Sequence, residues 1–187
     1  MKNLTIRNYQ TTDFSQWNTF VSVAKNATFL FHRDFMDYHS DRFDDNSLVV
    51  ESEDKWLAVL PANRIGTTLF SHQGLTYGGI VISEKVKLAT FLQIFQELLK
   101  YLYEQEITTL KIKCLPTIYA KYFSDELKYS LFLVHAQLTR RDALAVIDLA
   151  MPLSLAKDRK EGVKRGEKNQ LEVREEDDFE LFWNTIL

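Results

Sequence analysis

The pattern of apolar and polar positions predicts an alternation of strands and helices. Residues 4–9 alternate like a strand, and Thr11, Thr12 and Asp13 then offer N-cap side chains to a helix. A second helix is predicted at 33–42, ended by the polar run 44–46. The first of these helices would bury one apolar face, made of Phe14, Trp17, Phe20, Val21 and Ala24.

A set of short strands follows. Strand-like segments occur at 47–52, 56–63 and 67–71, and their connections are short enough for hairpins, which predicts an antiparallel meander. Residues 77–83 predict a further strand or the end of the third one. The nearby Gly74, Gly78 and Gly79 indicate a bulge, or a backbone that passes close to another group.

The longest predicted helix covers 86–105 and has a wide apolar face that we expect to pack on a sheet. A strand at 108–115 follows, in which Cys114 would be a buried thiol. A helical stretch from Pro116 to about Tyr129 and two last strands, at 131–138 and 143–149, complete the order; His135 would lie on the first of these strands.

The end of the chain has a different pattern. After Asp177 and Asp178 a short apolar-faced helix begins and runs to the last residue without a capping sequence. We therefore expect one complete domain followed by the opening of a second, truncated one.

Composition narrows the function classes. With 187 residues, of which 45% are hydrophobic, the chain can bury a core of ordinary size. A net charge of −3 argues against a nucleic-acid coat or a polybasic membrane binder. No leader peptide and no apolar run of about 20 residues is present, so we expect a cytoplasmic protein without a membrane span. One cysteine excludes an internal disulfide, and the histidines show no metal-ligand spacing, so no metal site is expected.

The order of elements resembles the acyl-CoA N-acyltransferase (GNAT) fold, an α/β fold with a mixed, mostly antiparallel sheet flanked by helices. Three segments, 29–35, 71–79 and 160–173, resemble the FemAB-like branch, whose members carry two GNAT-like domains in tandem. The resemblance implies a GNAT-like N-terminal domain at 1–150, a basic helical connector at 151–170, and the start of a second, truncated GNAT-like domain at 171–187.

The resemblance also implies a reaction. The full-length protein would transfer an acyl or aminoacyl group to an amine, with acyl-CoA or aminoacyl-tRNA as donor and a small-molecule or peptidoglycan-precursor-like acceptor. This chain would serve as scaffold and acceptor-binding platform, inactive alone, with its catalytic residues unassigned. The glycine spacing at 73–79 departs from that of GNAT enzymes that grip a pyrophosphate, so we expect no CoA to be bound by this domain.

Two groups of acceptor-binding candidates arise in this domain. The 71–79 turn places an imidazole, an amide and a phenol within six residues, beside glycines that would let a ligand approach the backbone. Alternatively, these side chains hold the turn together. The predicted second helix offers further candidates, although its arginines can also pair with its aspartates in solvent. The candidates are His72, Gln73 and Tyr77 in the turn, and Arg33, Tyr38 and His39 on the helix.

The connector supplies the densest positive charge. Lys160, Lys164, Arg165 and Lys168 could face the phosphates of a nucleotide-linked precursor or of an RNA, or they could belong to a solvated linker helix. Two other functions stay open: a non-enzymatic binding module for an anionic ligand, and an ordinary CoA-dependent single-domain acetyltransferase. The sequence does not predict an oligomeric state.

Overall fold

The structure is a computed structural model that describes residues 3–38, 40–151, 153–175, 177 and 179–186. The chain divides into two compact units, Met1–Gln137 and Leu138–Leu187, which we describe in turn. The boundaries predicted from sequence, 1–150, 151–170 and 171–187, stay predictions.

Short strands form two sheets in the first unit. An antiparallel sheet has the order β1-β2-β3-β6, formed by β1 (Thr5–Asn8), β2 (Leu48–Ser52), β3 (Lys55–Leu60) and β6 (Val81–Ile82). The second sheet has the order β4-β5-β7, formed by β4 (Asn63–Ile65), β5 (Thr68–Phe70) and β7 (Thr109–Lys111). β4 and β5 are antiparallel, and β5 and β7 are parallel. Both predicted hairpins form, β2 with β3 and β4 with β5, but the predicted strand 56–63 is divided at Pro61 between β3 and β4, which belong to different sheets. The three segments therefore do not form one continuous meander, because proline lacks the N–H that a strand interior uses.

Helices cover both faces of the first sheet. The helices of this unit are α1 (Phe14–Val23), α2 (Arg33–Asp37), α3 (Leu88–Glu104) and α4 (Glu126–Leu133), with 3-10 turns at Thr11–Asp13, Phe29–Phe31 and Thr117–Tyr119. Successive residues of β2 contribute to different cores, as the two-residue period of a strand requires: Val49 packs with α1, and Val50 packs with α3. Each face of the sheet therefore has its own apolar core.

The predicted fold class is confirmed. The unit is a mixed α/β fold with a mostly antiparallel sheet flanked by helices, and its elements follow the order predicted from the sequence as far as α4. α3 forms where the long apolar-faced helix was predicted and buries Phe91, Ile94, Phe95, Leu98 and Leu102.

The prediction for the second helix was too long. α2 ends at Asp37 instead of reaching residue 42. A short helix makes few intrahelical hydrogen bonds, so its length depends on tertiary contacts more than on the apolar pattern. The stretch after Pro116 also differs, since a 3-10 turn and an irregular loop precede α4.

The two last strands were predicted wrongly. Residues 131–133 belong to α4, and His135 lies just beyond its end with a positive φ of 51°. The His135 N–H donates to the Phe132 carbonyl at 3.0 Å and the Ala136 N–H donates to the Leu131 carbonyl at 2.9 Å, which is the Schellman pattern of a helix end. This motif usually has glycine at the position of His135, so the sequence contained no stop signal.

The described residues of the second unit form two helices and irregular chain. The helices are α5 (Lys157–Lys168) and α6 (Phe179–Ile186). Residues 143–149, predicted as a strand, form no strand, and the large apolar side chains among them are exposed. None of the described helices is long and apolar enough to cross a membrane.

Candidate functional site

The candidate site begins where the two parallel strands part. The pairing of β5 with β7 ends at Phe70 and Lys111. Beyond it an isolated parallel bridge joins Gly78, which precedes β6, to Cys114, which follows β7, and the Gly78 N–H donates to the Lys113 carbonyl at 2.6 Å. A pocket of about 30 Å³ opens at this bridge, which is room for about one water molecule. Its lining residues are Asn26, Gly78, Cys114, Leu115, Thr117, Ala120, Ser124, Leu127 and Lys128.

Close backbone packing explains the glycine at this point. A Cβ on Gly78 would lie 2.1 Å from the Ser71 carbonyl oxygen, so no other residue fits without moving the chain. Gly79 has a φ of 107°, which glycine adopts without strain. The predicted close backbone approach near these glycines is confirmed.

One wall of the pocket is held by Asn26. Its side-chain amide donates to the Ile80 carbonyl at 2.9 Å, and its side-chain oxygen accepts from the Ile82 N–H at 2.9 Å. The amide therefore continues the pairing of this stretch of backbone, in which the Lys25 N–H donates to the Ile82 carbonyl at 2.9 Å. Nothing in the sequence signals this role, because Asn26 is 54 residues away from Ile80.

The opposite wall is anchored by an ion pair. Lys25 pairs with Glu126, 101 residues later, and the Ser124 hydroxyl donates to the same carboxylate at 2.6 Å. Burial acts to raise the pKa of Glu126, but the hydrogen bonds from Lys25 and Ser124 outweigh it, so the pKa lies below its ordinary value. Glu126 is therefore ionised at neutral pH and ties the start of α4 to the end of α1.

Cys114 differs from its sequence-based prediction. The residue is exposed and forms only an isolated bridge, whereas a buried strand position was expected. The enclosure of its thiol by the pocket walls nevertheless raises the pKa of Cys114, against a smaller opposing effect of the Lys128 charge. A raised pKa keeps the group as a thiol at neutral pH, which is unfavourable for a nucleophile.

The 71–79 turn is held by hydrogen bonds to residues outside it. His72 is buried with a φ of 62°, and its ring packs edge-on against Phe43 at a centroid distance of 5.5 Å. The Gln73 N–H donates to the side-chain oxygen of Asn63 at 2.7 Å, and the Asn63 amide donates to the Gln73 side-chain oxygen at 2.8 Å. The Lys113 amine donates to the Leu75 carbonyl. His72 therefore lies inside the turn, while Gln73 lies on its exposed side.

Tyr77 is the candidate of this turn that lies nearest to the pocket in sequence. Its hydroxyl donates to the Thr28 hydroxyl at 3.2 Å, and its ring meets Phe31 edge-on. The ring of Tyr119 stacks on Tyr77 at 5.5 Å with an interplanar angle of 30°. Tyr119 is itself 44% exposed and follows pocket residue Thr117, so the two tyrosines form an aromatic surface next to the pocket.

The candidates predicted on the second helix are not part of this aromatic surface. Arg33 is buried, and its guanidinium donates to Asp37 at 2.7 Å and to Asp45 at 2.6 Å while lying 3.8 Å from the centroid of the Tyr9 ring. Tyr38 is 78% exposed. His39 lies outside the described residues.

The basic candidates are all in the second unit. Lys160, Lys164, Arg165 and Lys168 lie on α5, and each is exposed. Lys168 and Arg165 occupy the last turn, where positive charge interacts favourably with the helix dipole. Their binding role stays a prediction. No group of three or more side chains suited to hold a metal ion comes together among the described residues.

No protein-family model matches the chain, and no curated protein matches it in sequence. Similar solved structures include the ribosomal-protein-S18-alanine N-acetyltransferase of Escherichia coli, 14% identical with a TM-score of 0.41, where the match covers 58% of this chain and 64% of the other. A possible acetyltransferase from Clostridium difficile 630 is 13% identical with a TM-score of 0.47, covering 78% of this chain and 98% of the other. A GNAT family acetyltransferase from Staphylococcus aureus is 9% identical with a TM-score of 0.42, covering 78% and 98%.

Proposed function

We propose that this chain is the acceptor-binding part of a FemAB-like N-acyltransferase, whose full-length form transfers an acyl or aminoacyl group to an amine. The observation that carries the proposal is the end of the β5–β7 pairing at Phe70 and Lys111, followed by an isolated bridge between Gly78 and Cys114 with a pocket beside it. Where two paired strands separate, backbone N–H and C=O groups become available to align an amide or an acyl group. The Ser71–Gly79 turn ends at the same bridge.

The chemistry of the pocket supports a platform that is inactive alone. An acceptor amine must lose a proton before or during its attack on the acyl carbon, and a positioned base usually takes that proton. Asn26, Thr117, Ser124 and Lys128 provide polar groups, but no carboxylate or imidazole is among the described residues that line the pocket. In this proposal the base and the donor site belong to other parts of the full-length protein.

Acceptor recognition is assigned to the aromatic surface and the turn beside it. Tyr77 and Tyr119 would pack on the acceptor, and the exposed Gln73 would hydrogen-bond to it. The basic residues of α5 would contact phosphates of a nucleotide-linked precursor or, in the full-length protein, of an aminoacyl-tRNA. No CoA is held by this domain in the proposal; acyl-CoA stays a possible donor for the full-length protein.

Backbone amide NMR of the purified chain tests the acceptor role. The ligands are a lysine-containing nucleotide-linked peptidoglycan precursor and, separately, CoA. We expect the precursor to shift the amide signals of Gly78, Cys114 and Tyr119 in a saturable manner and CoA to shift none of them. Tyr119→Ala should weaken precursor binding, whereas Tyr103→Ala, which removes an exposed tyrosine that does not line the pocket, should leave it unchanged.

Two results would overturn the assignment. Saturable CoA binding, or acyl transfer by the 187-residue chain alone, would mean that the donor site lies within it. Absence of any shift with the precursor and with simpler amines would remove the acceptor role itself. Expression of the longest reading frame that contains these residues, followed by an acyl-transfer assay, tests the reaction independently of binding.

The basic surface of α5 favours one alternative, a non-enzymatic module for an anionic ligand. The helix carries six cationic residues against three acidic ones, namely Lys157, Arg159, Lys160, Lys164, Arg165 and Lys168 against Asp158, Glu161 and Glu167. Two results together would favour this module. A labelled RNA would bind with an affinity that falls steeply with salt and is lost in the double variant Lys160→Glu, Lys164→Glu. No version of the protein would show transfer activity.

A further inference from the structure

The pocket at the Gly78–Cys114 bridge is smaller than the acceptor that the proposed function requires. Its volume of about 30 Å³ holds about one water molecule. An acceptor carries more than its amine nitrogen, so one wall of the pocket has to move when the acceptor enters. The walls differ in how firmly the first unit holds them, and this difference indicates which wall moves.

Two walls of the pocket are fixed to the body of the unit. Asn26 is held by its two side-chain hydrogen bonds to the backbone of residues 80–82. On the other side, Leu127 of α4 packs against the apolar core that contains α3. The Lys25–Glu126 ion pair, whose side chains are 13% and 12% exposed, also ties the start of α4 to the end of α1. Neither wall can move without disturbing buried contacts.

The third wall is the connection between β7 and α4, and it is held loosely. We call residues 115–123 the strap. Its lining residues are Leu115, Thr117 and Ala120. No strap residue belongs to either apolar core or packs against one. Among the described residues, its hydrogen bonds and ring contacts to the rest of the unit consist of a 3.3 Å bond from the Tyr122 N–H to the Lys25 carbonyl and the stack of Tyr119 on Tyr77.

We propose that the strap opens as one piece to admit the acceptor, and that the stack of Tyr119 on Tyr77 is the latch that keeps it closed. The strap turns between the Gly78–Cys114 bridge and Ser124, which is hydrogen-bonded to the start of α4. Opening breaks one stack and one hydrogen bond and leaves both cores intact, so it takes far less free energy than unfolding. It also frees the tyrosine rings to pack on the acceptor. Admission of the acceptor rests on the proposed function, whereas the opening itself does not.

Hydrogen exchange of the Tyr122 amide measures the opening without any ligand. In the 187-residue chain we expect this amide to be protected, yet to exchange faster and with a weaker dependence on urea than the Val59 amide inside β3. Tyr119→Ala should speed the exchange of the Tyr122 amide about threefold to tenfold, because an aromatic pair is lost. Tyr103→Ala, which removes a tyrosine of α3, should leave that rate unchanged.

Three results would overturn the strap. The Tyr122 amide could exchange only when the Val59 amide does, which would mean that the strap opens only with global unfolding. It could be unprotected, which would mean that the strap is not closed in the free protein. Finally, Tyr119→Ala could leave its exchange rate unchanged, which would mean that the stack is not the latch.

A reversible disulfide connects the opening to binding. Lys25→Cys and Tyr122→Cys, combined with Cys114→Ser, place two thiols on backbone that is already hydrogen-bonded, which is within the reach of a disulfide. Both the oxidised and the reduced form of this variant lack the Lys25 ion pair, so they differ only in the S–S bond. We expect the oxidised form to bind the lysine-containing nucleotide-linked precursor at least about tenfold more weakly than the reduced form.

The outcomes separate the strap from the proposed function. If the unmodified chain binds the precursor, equal affinity of the oxidised and reduced forms would overturn the gating role of the strap. If the unmodified chain does not bind the precursor, while the Tyr122 amide exchanges as expected, the acceptor role fails and the opening of the strap is supported.

Discussion

At the scale of single residues, Arg33 shows how a charged side chain becomes part of a core. Its guanidinium stacks on Tyr9 and donates to Asp37 and Asp45, and Asp45 in turn accepts from the Ser47 hydroxyl at 2.6 Å. Only a flat group with several donors can make all of these contacts together, so lysine is not equivalent. The contacts join α2 to the start of β2, and they favour a structural role for Arg33.

Arg33→Ala should therefore destabilise the protein strongly. Removal of the cation leaves Asp45 near the core without its partner, and we expect the free energy of unfolding to fall by about 3 kcal/mol. Arg42→Ala is the control: the Arg42 side chain is 58% exposed, so the change should stay within about 0.5 kcal/mol. Urea unfolding followed by circular dichroism measures both. Equal effects of the two substitutions would contradict the structural role.

Ionisation of Asp13 makes the stability of the protein depend on pH. The hydrogen bond from Arg7, at 2.6 Å, is the main cause that lowers the pKa of Asp13; burial opposes it, and the Gln10 N–H adds to it. The folded pKa of Asp13 therefore lies below its unfolded value of about 3.9. The Asp13 carboxylate contributes fully to the free energy of unfolding above about pH 3.9, and this contribution is lost as the pH falls through the folded pKa.

Asp13→Asn should accordingly make the free energy of unfolding less dependent on pH in acid. We expect the unmodified protein to lose more unfolding free energy than the variant between about pH 5 and pH 2, because only the carboxylate takes up a proton on unfolding there. Urea titrations at a series of pH values give the two slopes. Asp41→Asn, at an exposed position, serves as the control, and a variant slope equal to that of the unmodified protein would contradict this account.

At the scale of elements, helix ends decide much of the fold. α3 ends in a Schellman motif: the Glu106 N–H donates to the Tyr103 carbonyl at 3.1 Å, and the Ile107 N–H donates to the Leu102 carbonyl at 2.9 Å. Glu106 has a φ of 58°, a conformation in which a side chain is strained and glycine is not. His135 ends α4 in the same manner.

Glu106→Gly should stabilise the protein. Relief of the left-handed strain should raise the free energy of unfolding by about 1 kcal/mol. Glu104→Gly, two residues earlier and still inside α3, should lower it by about 1 kcal/mol, because glycine weakens a helix. Thermal and urea unfolding of the two variants provide the measurement, and the opposite signs are the decisive feature. Loss of stability in both would contradict the strain argument.

The elements predicted well and poorly differ in their physical origin. α3 has an apolar face long enough to define a helix without help from other segments, and the β2–β3 hairpin has a short, polar connection. Both were predicted because the determining signal is local. α2 stops early and residues 131–133 are helical because the deciding contacts, such as those of Arg33 and the Schellman bonds of His135, cannot be read from local composition.

At the scale of the whole molecule, the apolar cores belong to one unit. Every described residue that builds or flanks the two core clusters lies between Leu4 and Leu131. None of them comes from the second unit, and the large apolar side chains that the structure describes there are exposed. The free energy of folding should therefore come from the first unit.

A chain that ends at Gln137 should accordingly fold alone. At protein concentrations low enough to exclude association, we expect it to unfold cooperatively with nearly the same free energy as the 187-residue chain, because no core residue is removed. Urea unfolding of the two chains makes the comparison. A large loss of stability would show that residues 138–187 contribute to the core. The predicted domain 1–150 implies such a contribution from residues 138–150.

The sequence by itself determined the alternation of strands and helices in the first 115 residues, since the apolar periods of strand and helix act over a few neighbouring residues. It also indicated the close backbone approach at Gly78. Only the tertiary structure decided that Arg33 enters the core, that Asn26 lines the pocket, that Tyr119 stacks on Tyr77, and that 143–149 form no strand. Each of those outcomes depends on partners distant in sequence, and a contact between distant residues leaves no local pattern.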